Sequence, residues 1–347
     1  MVTLQDVANR VGVSKMTVSN VLNGKNARVS ERTRQRVLAA VKELGYVRSA
    51  PARALSVRGT NLVSFVYPKY RESPLVNTHD AILVGDLQVA LDDLGYLLIL
   101  YAADDIFAAA LQMKSWNVAG TVLYGTFADE VANFRGTYET PIIFIDNYGS
   151  SVPLPTVVSD DRRGGYLAGS YLKSLGHERV AFVAPKFGSE GVVATRFAGF
   201  LDGIGSDRDA YDRRFLYEVE SIFGQGRAVC DWYHSFPAGE APTALFCTAD
   251  SLAAGVMKGL QESGVRIPAD ASVIGFDDLP IATEVTPSLT TVHQDLPLKA
   301  RRAAEMIVQE IENPNSSPRR VVLPVSLEKR GSAARPAAGC AHHRSRQ

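Results

Sequence analysis

A chain of 347 residues exceeds what one ordinary hydrophobic core holds, so two or three domains of roughly 100–150 residues are the natural division. Hydrophobic residues at 46% and charged residues at 21% exclude a disordered or fibrous protein, and three irregularly spaced cysteines, Cys230, Cys247 and Cys340, argue against a zinc site or disulfide scaffold. The formal net charge of zero conceals an asymmetry: residues 1–60 hold eleven Lys/Arg against three acids, a basic segment on a mildly acidic body, as expected of a polyanion-binding head.

The N-terminus lacks a basic start followed by an apolar run, and nowhere do 18 apolar residues follow one another, which predicts a cytoplasmic protein without a signal peptide or membrane span. Thr3 caps a first helix with Asp6 at its third position and Leu4, Val7, Ala8 and Val11 on one face, ended by Gly12. Ser14 caps a second helix striped by Val18, Val21 and Leu22, which stops at Asn23-Gly24; Ser30 caps a third, striped by Val37, Leu38, Val41 and Leu44 up to Gly45. Two helices joined by so tight a turn, with a third closing the core, predict a helix-turn-helix domain over residues 1–46. In that motif the second helix enters the major groove. Lys15, Met16 and Asn20 point off its stripe and are the base-reading candidates, for guanine, a thymine methyl and adenine respectively. Thr17, Ser19 and Asn26, with Arg10 and Lys25, suit phosphates, and Thr3 and Asn23 are counted with the DNA-contacting set. Simple surface exposure is the ordinary alternative for each.

Residues 47–60 contain little that could form a core and read as a linker, in which Pro51 could start a short helix that needs a partner to be stable. From residue 62, apolar runs at 62–67, 97–102, 120–124 and 141–146 alternate with helical patterns near 79–94 and 105–115; the alternation resumes at Thr156, with runs at 180–184, 215–219, 244–248 and 272–276. This predicts an α/β body of two doubly wound parallel-sheet lobes, one from 61–158 with 292–330 and one from 159–291, followed by a disordered tail, 331–347. Parallel sheets bind ligands at the carboxyl ends of their strands, so the pocket is expected between the lobes, where Asp146, Asp160-Asp161, Asp250 and Asp277-Asp278 fall. Turn formation or capping is the rival role for each aspartate, and capping is the preferred one for Asp250.

The string V-T-L-Q-D-V-A-x-x-V-G-V-S-x-x-T-V-S-x-V-L-N-G, continued by V-S-x-x-T-R-x-R-V-x-x-A-x-x-x-L-G-Y, closely resembles the lactose/galactose repressor family. The likeness extends through G-G-Y-x-A-G-x-Y-L, T-R-F-A-G-F, A-D-S-L-A-A-G-V and V-I-G-F-D-D to about residue 330. It implies a homodimeric repressor of double-stranded operator DNA whose body resembles a periplasmic sugar-binding protein, with a small-molecule effector, a carbohydrate or its derivative, in the cleft. It also implies a linker that folds on the operator, Leu55 wedging into the minor groove and Ala52 packing hinge on hinge, and an effector gripped by Arg196 and Asp277. Position adds Tyr70, Thr78, His79, Asp146, Ser221, Ile222 and Gln294 as effector candidates; His79 is equally ordinary as a helix-start residue. The chain departs from the family's pattern at Arg48-Ser49, Ser159-Asp160 and Ala249, and the last two leave the effector's identity open. No G-x-G-x-x-G, Walker A, G-x-S-x-G or H-E-x-x-H occurs and the six histidines form no ligand array, so no catalytic residue, metal or cofactor is expected. An exported-type solute-binding protein or an α/β enzyme of sugar metabolism would share the body but leave the basic head unexplained.

Overall fold

The computed structural model describes residues 2–22, 24, 29–46, 60–69, 75–125, 140–148, 155–314 and 320–337. The chain divides into two compact units, Met1–Thr60 and Asn61–Gln347.

In the first unit, α1 (Leu4–Val11) opens on a reciprocal cap: the Thr3 hydroxyl oxygen accepts the Asp6 amide at 3.3 Å and the Asp6 carboxylate accepts the Thr3 amide at 2.8 Å. Gly12 ends the helix at φ 72°, and Ser14 accepts the Thr17 amide at 3.1 Å to start α2 (Lys15–Leu22). α3 (Glu31–Leu44) starts at Ser30. Val7, Ala8, Val11, Val18, Val21, Val37 and Ala40 form the shared core. Leu38 does not join it: it stays 44% exposed, because the buried face of α3 runs through Val37 and Ala40. Arg36 donates to the carbonyl of Val11 at 2.7 Å and so ties α3 to the end of α1.

The second unit contains β1 (Leu62–Pro68), α4 (Thr78–Asp93), β2 (Leu97–Ala103), α5 (Ile106–Ser115), β3 (Gly120–Tyr124), β4 (Ile142–Ile145) and β5 (Thr156–Ser159). It continues with α6 (Asp161–Ser174), β6 (Val180–Ala184), α7 (Val192–Ile204), β7 (Leu216–Glu218), α8 (Gly226–His234), β8 (Ala244–Cys247), α9 (Asp250–Glu262) and β9 (Ser272–Asp277). The last elements are α10 (Ile281–Glu284), β10 (Thr290–Gln294), α11 (Leu296–Glu312), β11 (Arg320–Leu323) and β12 (Val325–Glu328). The strands make two six-stranded sheets, ordered β11-β5-β4-β3-β1-β2 and β12-β10-β9-β8-β6-β7. Runs such as Val-Ala-Phe-Val-Ala in β6 are buried throughout, as strands covered on both faces must be.

Two expected boundaries are corrected. β10 pairs with β9 in the second sheet as far as His293, so the chain returns to the first lobe after Gln294 rather than at residue 292. β12 then crosses back and runs antiparallel to β10, which puts residues 325–337 in the second lobe. The expected disordered tail is ordered from 331 to 337. Ser332 is fully buried, its hydroxyl donating to the carbonyl of Val273 at 2.6 Å and accepting the Thr290 amide at 2.8 Å. The carbonyl of Ala334 lies 2.9 Å from His177 Nε2. Small side chains there let the backbone close onto the sheet, and composition alone reads such a stretch as disorder.

α6 and α7 approach so closely that a Cβ at Gly165 would overlap the carbonyl of Arg196 and one at Gly199 the carbonyl of Arg162. The obstacle at both positions is backbone, which cannot move aside as a side chain tip does. Gly199→Ala is therefore expected to lose about 3 kcal/mol of stability, the upper end for overpacking. Gly188→Ala, in open space, should stay within about 0.5 kcal/mol of the parent in urea unfolding.

Candidate functional site

On the first unit Lys15 and Met16 are exposed, Met16 at 70%, while Thr17, Ser19 and Asn20 are half-buried. Met16 is thus a large apolar side chain left facing outward on the eight-residue α2. The Thr3 hydroxyl donates to Asp6 at 2.8 Å and belongs to the cap, and Arg10 pairs with Glu43 at 2.8 Å. Asn23, Asn26, Ala52, Leu55 and Tyr70 lie outside the described residues, as does Lys25.

On the second unit, the carboxyl ends of β4, β5, β9 and β10 bring polar side chains of both lobes together. Gln294, at the end of β10, is the hub: its amide nitrogen donates to Asp277 at 2.6 Å and lies 3.1 Å from His79 Nε2, and its oxygen accepts from Ser159 at 2.8 Å and Lys299 at 3.0 Å. Lys299 is 1% exposed and also holds Asp146 at 2.8 and 3.1 Å. Arg196 donates from Nε to Asp161 and from Nη1 to the carbonyl of Thr248, both at 2.6 Å, with its guanidinium carbon 3.5 Å from the centre of the Phe276 ring. Asp161 in turn accepts from the Tyr148 hydroxyl. Burial works against the charge on Arg196, but Asp161 and Asp277 outweigh it and raise its pKa further. Burial likewise pushes the Asp277 carboxyl up, against the pull of His79 and Arg196.

Of the expected effector residues, the structure brings Arg196, Asp277, His79, Gln294 and Asp146 into one buried polar seam between the lobes. Ser221 borders it, 3.5 Å from the Thr248 hydroxyl, with Ile222 37% exposed beside it. Thr78 is exposed at the start of α4, where Asn77 rather than Thr78 caps the helix by accepting the His79 amide at 2.9 Å. Asp250 caps nothing, because the cap position of α9 is Ala249. Lys299, Tyr148 and Ser159 were not singled out as ligand candidates from sequence. Lys299 did carry a signal: it shares the face of Leu296, Ala300, Ala303 and Ile307, where a lysine has no place unless paired. Two open cavities lie outside the seam, one of about 510 Å³ by Lys173, His177 and Tyr211, the other of about 490 Å³ by Arg163, Tyr171 and Lys329. In the seam the charged and polar side chains pair with one another.

A helix-turn-helix head and a body of two parallel-sheet lobes define a DNA-binding regulator with a periplasmic-binding-protein-like body. The description of bacterial regulatory proteins, lacI family, matches residues 3–49, and that of the periplasmic binding protein-like domain matches residues 170–333. The chain is similar to the HTH-type transcriptional regulator MalR of Streptomyces coelicolor, at 33% identity over 95% of this chain and 96% of that one. It is also similar to the ribose operon repressor of Haemophilus influenzae, at 27% identity over 93% and 96%. Among solved structures, the lac repressor dimer bound to operator and the anti-inducer ONPF superposes with a TM-score of 0.84 at 26% identity, covering 96% of this chain and 99% of that one. A LacI family regulator from Enterococcus faecium with bound ribose gives 0.66 at 26% identity, covering 79% and 99%. The chain belongs to the lacI family of bacterial regulatory proteins. It is a DNA-binding transcription regulator and not an enzyme. Among the described residues no helix is long and apolar enough to cross a membrane.

His79 supplies a pH test. Burial opposes its protonation, but the charges of Asp277 and Asp80 prevail over burial and over Lys299, and its pKa is raised above 6.5. A group whose pKa rises on folding stabilises the fold fully below its unfolded value and loses that contribution as pH climbs through its folded value. The stabilisation from His79 is thus expected in full below about pH 6.5 and should fade above it. Asp80→Asn should lower the His79 pKa in an NMR titration; an unchanged titration would contradict the assignment.

Proposed function

We propose that this protein is a repressor that binds a near-palindromic operator as a homodimer in the cytoplasm and whose operator affinity is set by a carbohydrate held between the lobes. The observation that carries the effector half is the seam: a guanidinium fork, a carboxylate, an amide and an imidazole from both lobes meet at the carboxyl ends of the strands. Arg196 offers donors and Asp277 acceptors, a pairing suited to vicinal hydroxyls, with Gln294, His79 and Asp146 alongside. Thr78, Ser221 and Ile222 complete the rim in this reading, and Tyr70, outside the described residues, stays an effector candidate by its place in the sequence. The ribose operon repressor among the relatives and the ribose-bound structural neighbour favour a sugar.

Lys15, Met16 and Asn20 read bases, Thr17, Ser19, Asn23 and Asn26 hold the backbone with Thr3 nearby, and Leu55 and Ala52 serve the hinge. One head contacts too few bases to be selective, which is the argument for two heads on a two-fold axis. The dimer surface we favour is the edge strand β2, Leu-Leu-Ile-Leu-Tyr-Ala-Ala, with Leu97 49% and nearby Val89 56% exposed. An apolar open edge of this kind needs covering. A ligand preferring one angle between the lobes then changes operator affinity, by no more than its own difference in affinity for the two states.

Binding to duplex DNA is expected to weaken steeply with salt, and Lys15→Ala to weaken it at every salt concentration; fluorescence anisotropy showing no salt-dependent binding would overturn the regulator's proposed operation. In a carbohydrate screen, Asp277→Ala should lose the effector response yet keep operator affinity. A normal effector titration in that variant removes Asp277 from the site.

A further inference from the structure

Asp250 is fully buried and has no role in the contacts described for the cleft. Although it opens α9, its side chain turns into the second lobe, where Oδ2 accepts the Leu279 amide at 2.7 Å and Oδ1 accepts the Thr291 hydroxyl at 2.5 Å. The space it fills exists because residue 275 is glycine: a Cβ there would overlap Asp250 Oδ1. Leu279 is the residue on which the chain leaves the end of β9, and the two residues before it are unusual. Asp277 has φ 116° and Asp278 φ 59°, consecutive left-handed positions that residues with side chains seldom adopt. Backbone of this kind persists where its surroundings over-determine it, often at ligand sites. Three grips do so here. Gln294 donates to the Asp277 carboxylate at 2.6 Å, Arg330 donates to Asp278 at 2.6 Å with His293 Nδ1 3.0 Å away, and Asp250 takes the Leu279 main chain.

We propose that Asp250 is a positioning residue of the effector site: through the Leu279 amide it locks the left-handed Asp277-Asp278 turn and thereby aims the Asp277 carboxylate into the cleft without touching the effector. The proposal rests on the reading of Asp277 as an effector ligand. Burial, and after it the charge of Asp277, drives the Asp250 carboxyl well above the ordinary carboxylate range. Asparagine is therefore the fitting substitute, its oxygen accepting from Leu279 and its nitrogen donating to Thr291.

The test compares Asp250→Ala with Asp250→Asn in the full chain, by amide exchange and by crystal structures. In the alanine variant the Leu279 amide should exchange at least about ten-fold faster while amides in β8 and α9 hold their rates. Asp277 should leave its φ near 116° and lose Gln294, and the asparagine variant should restore both. Thr291→Val, which removes the second grip on Asp250, should accelerate Leu279 exchange several-fold and serves if the alanine variant does not fold. Retention of the turn and of Leu279 protection in the alanine variant overturns the proposal, as does faster exchange spread evenly over the body. Because neither measurement uses an effector, failure of the effector reading, an intact response in Asp277→Ala, would be seen separately.

Discussion

A carboxylate withdrawn from water between two lobes needs a partner inside the protein, because an unpaired buried ion costs several kcal/mol. Asp161 meets that demand twice, with Arg196 and with Tyr148. Asp161 opens α6 and Arg196 sits in the first half of α7, so their meeting depends on how near the two helices lie. Glycines 165 and 199 set that distance by letting backbone pack on backbone. A larger residue at either place would widen the gap and leave Asp161 facing a guanidinium out of reach. The orientation of Arg196 over Phe276 and toward the carbonyl of Thr248 follows from this spacing, since the side chain has little freedom left once Nε is taken.

What the sequence disclosed and what it hid divide by range. Caps and helix ends were legible because their partners are three or four residues away: Thr3 with Asp6, Ser14 with Thr17, Ser30 with Thr33. The alternation of strands and helices was legible for the same reason, and parallel sheets then placed Asp146, Asp277 and Gln294 at strand ends facing one another. Arg196 was picked out by resemblance to a family, although its helix carries the same local sign as that of Lys299, a lone cation among the buried Ala194, Phe197, Gly199 and Phe200. The return of β12 to the second sheet, and the pinning of residues 331–337 by Ser272 and His177, depend on pairings made across the fold. No local pattern reports those. Asp250 illustrates the limit well: locally it looks like a cap, yet its carboxyl is claimed by Leu279 and Thr291, 29 and 41 residues onward.

The head follows a different logic, in which exposure rather than burial carries the meaning. Two of its arginines are paired, Arg10 with Glu43 and Arg34 with Glu31. Such exposed pairs are screened by solvent and salt and yield readily to a polyanion. Lys15 and Met16 stand out differently, one cation and one thioether side by side at the start of α2, neither contributing to the core of valines and alanines behind them. A three-helix core this small has few residues to spare, so side chains left facing outward on its shortest helices are free to serve a surface.

The pairing of donors and acceptors in the seam narrows what could replace it. Lys299 is matched by Asp146, Arg196 by Asp161, and Asp277 lies among His79, Gln294 and Arg196. A neutral polyhydroxy molecule suits such a set, because hydroxyls both donate and accept, and can stand in for each partner they displace. Gln294 makes the exchange consequential, since its amide touches Asp277 of one lobe and His79, Ser159 and Lys299 of the other. A sugar that takes over even two of those contacts changes what holds the lobes at their present angle. The carbohydrate reading and the proposed control of the operator therefore depend on the same side chain.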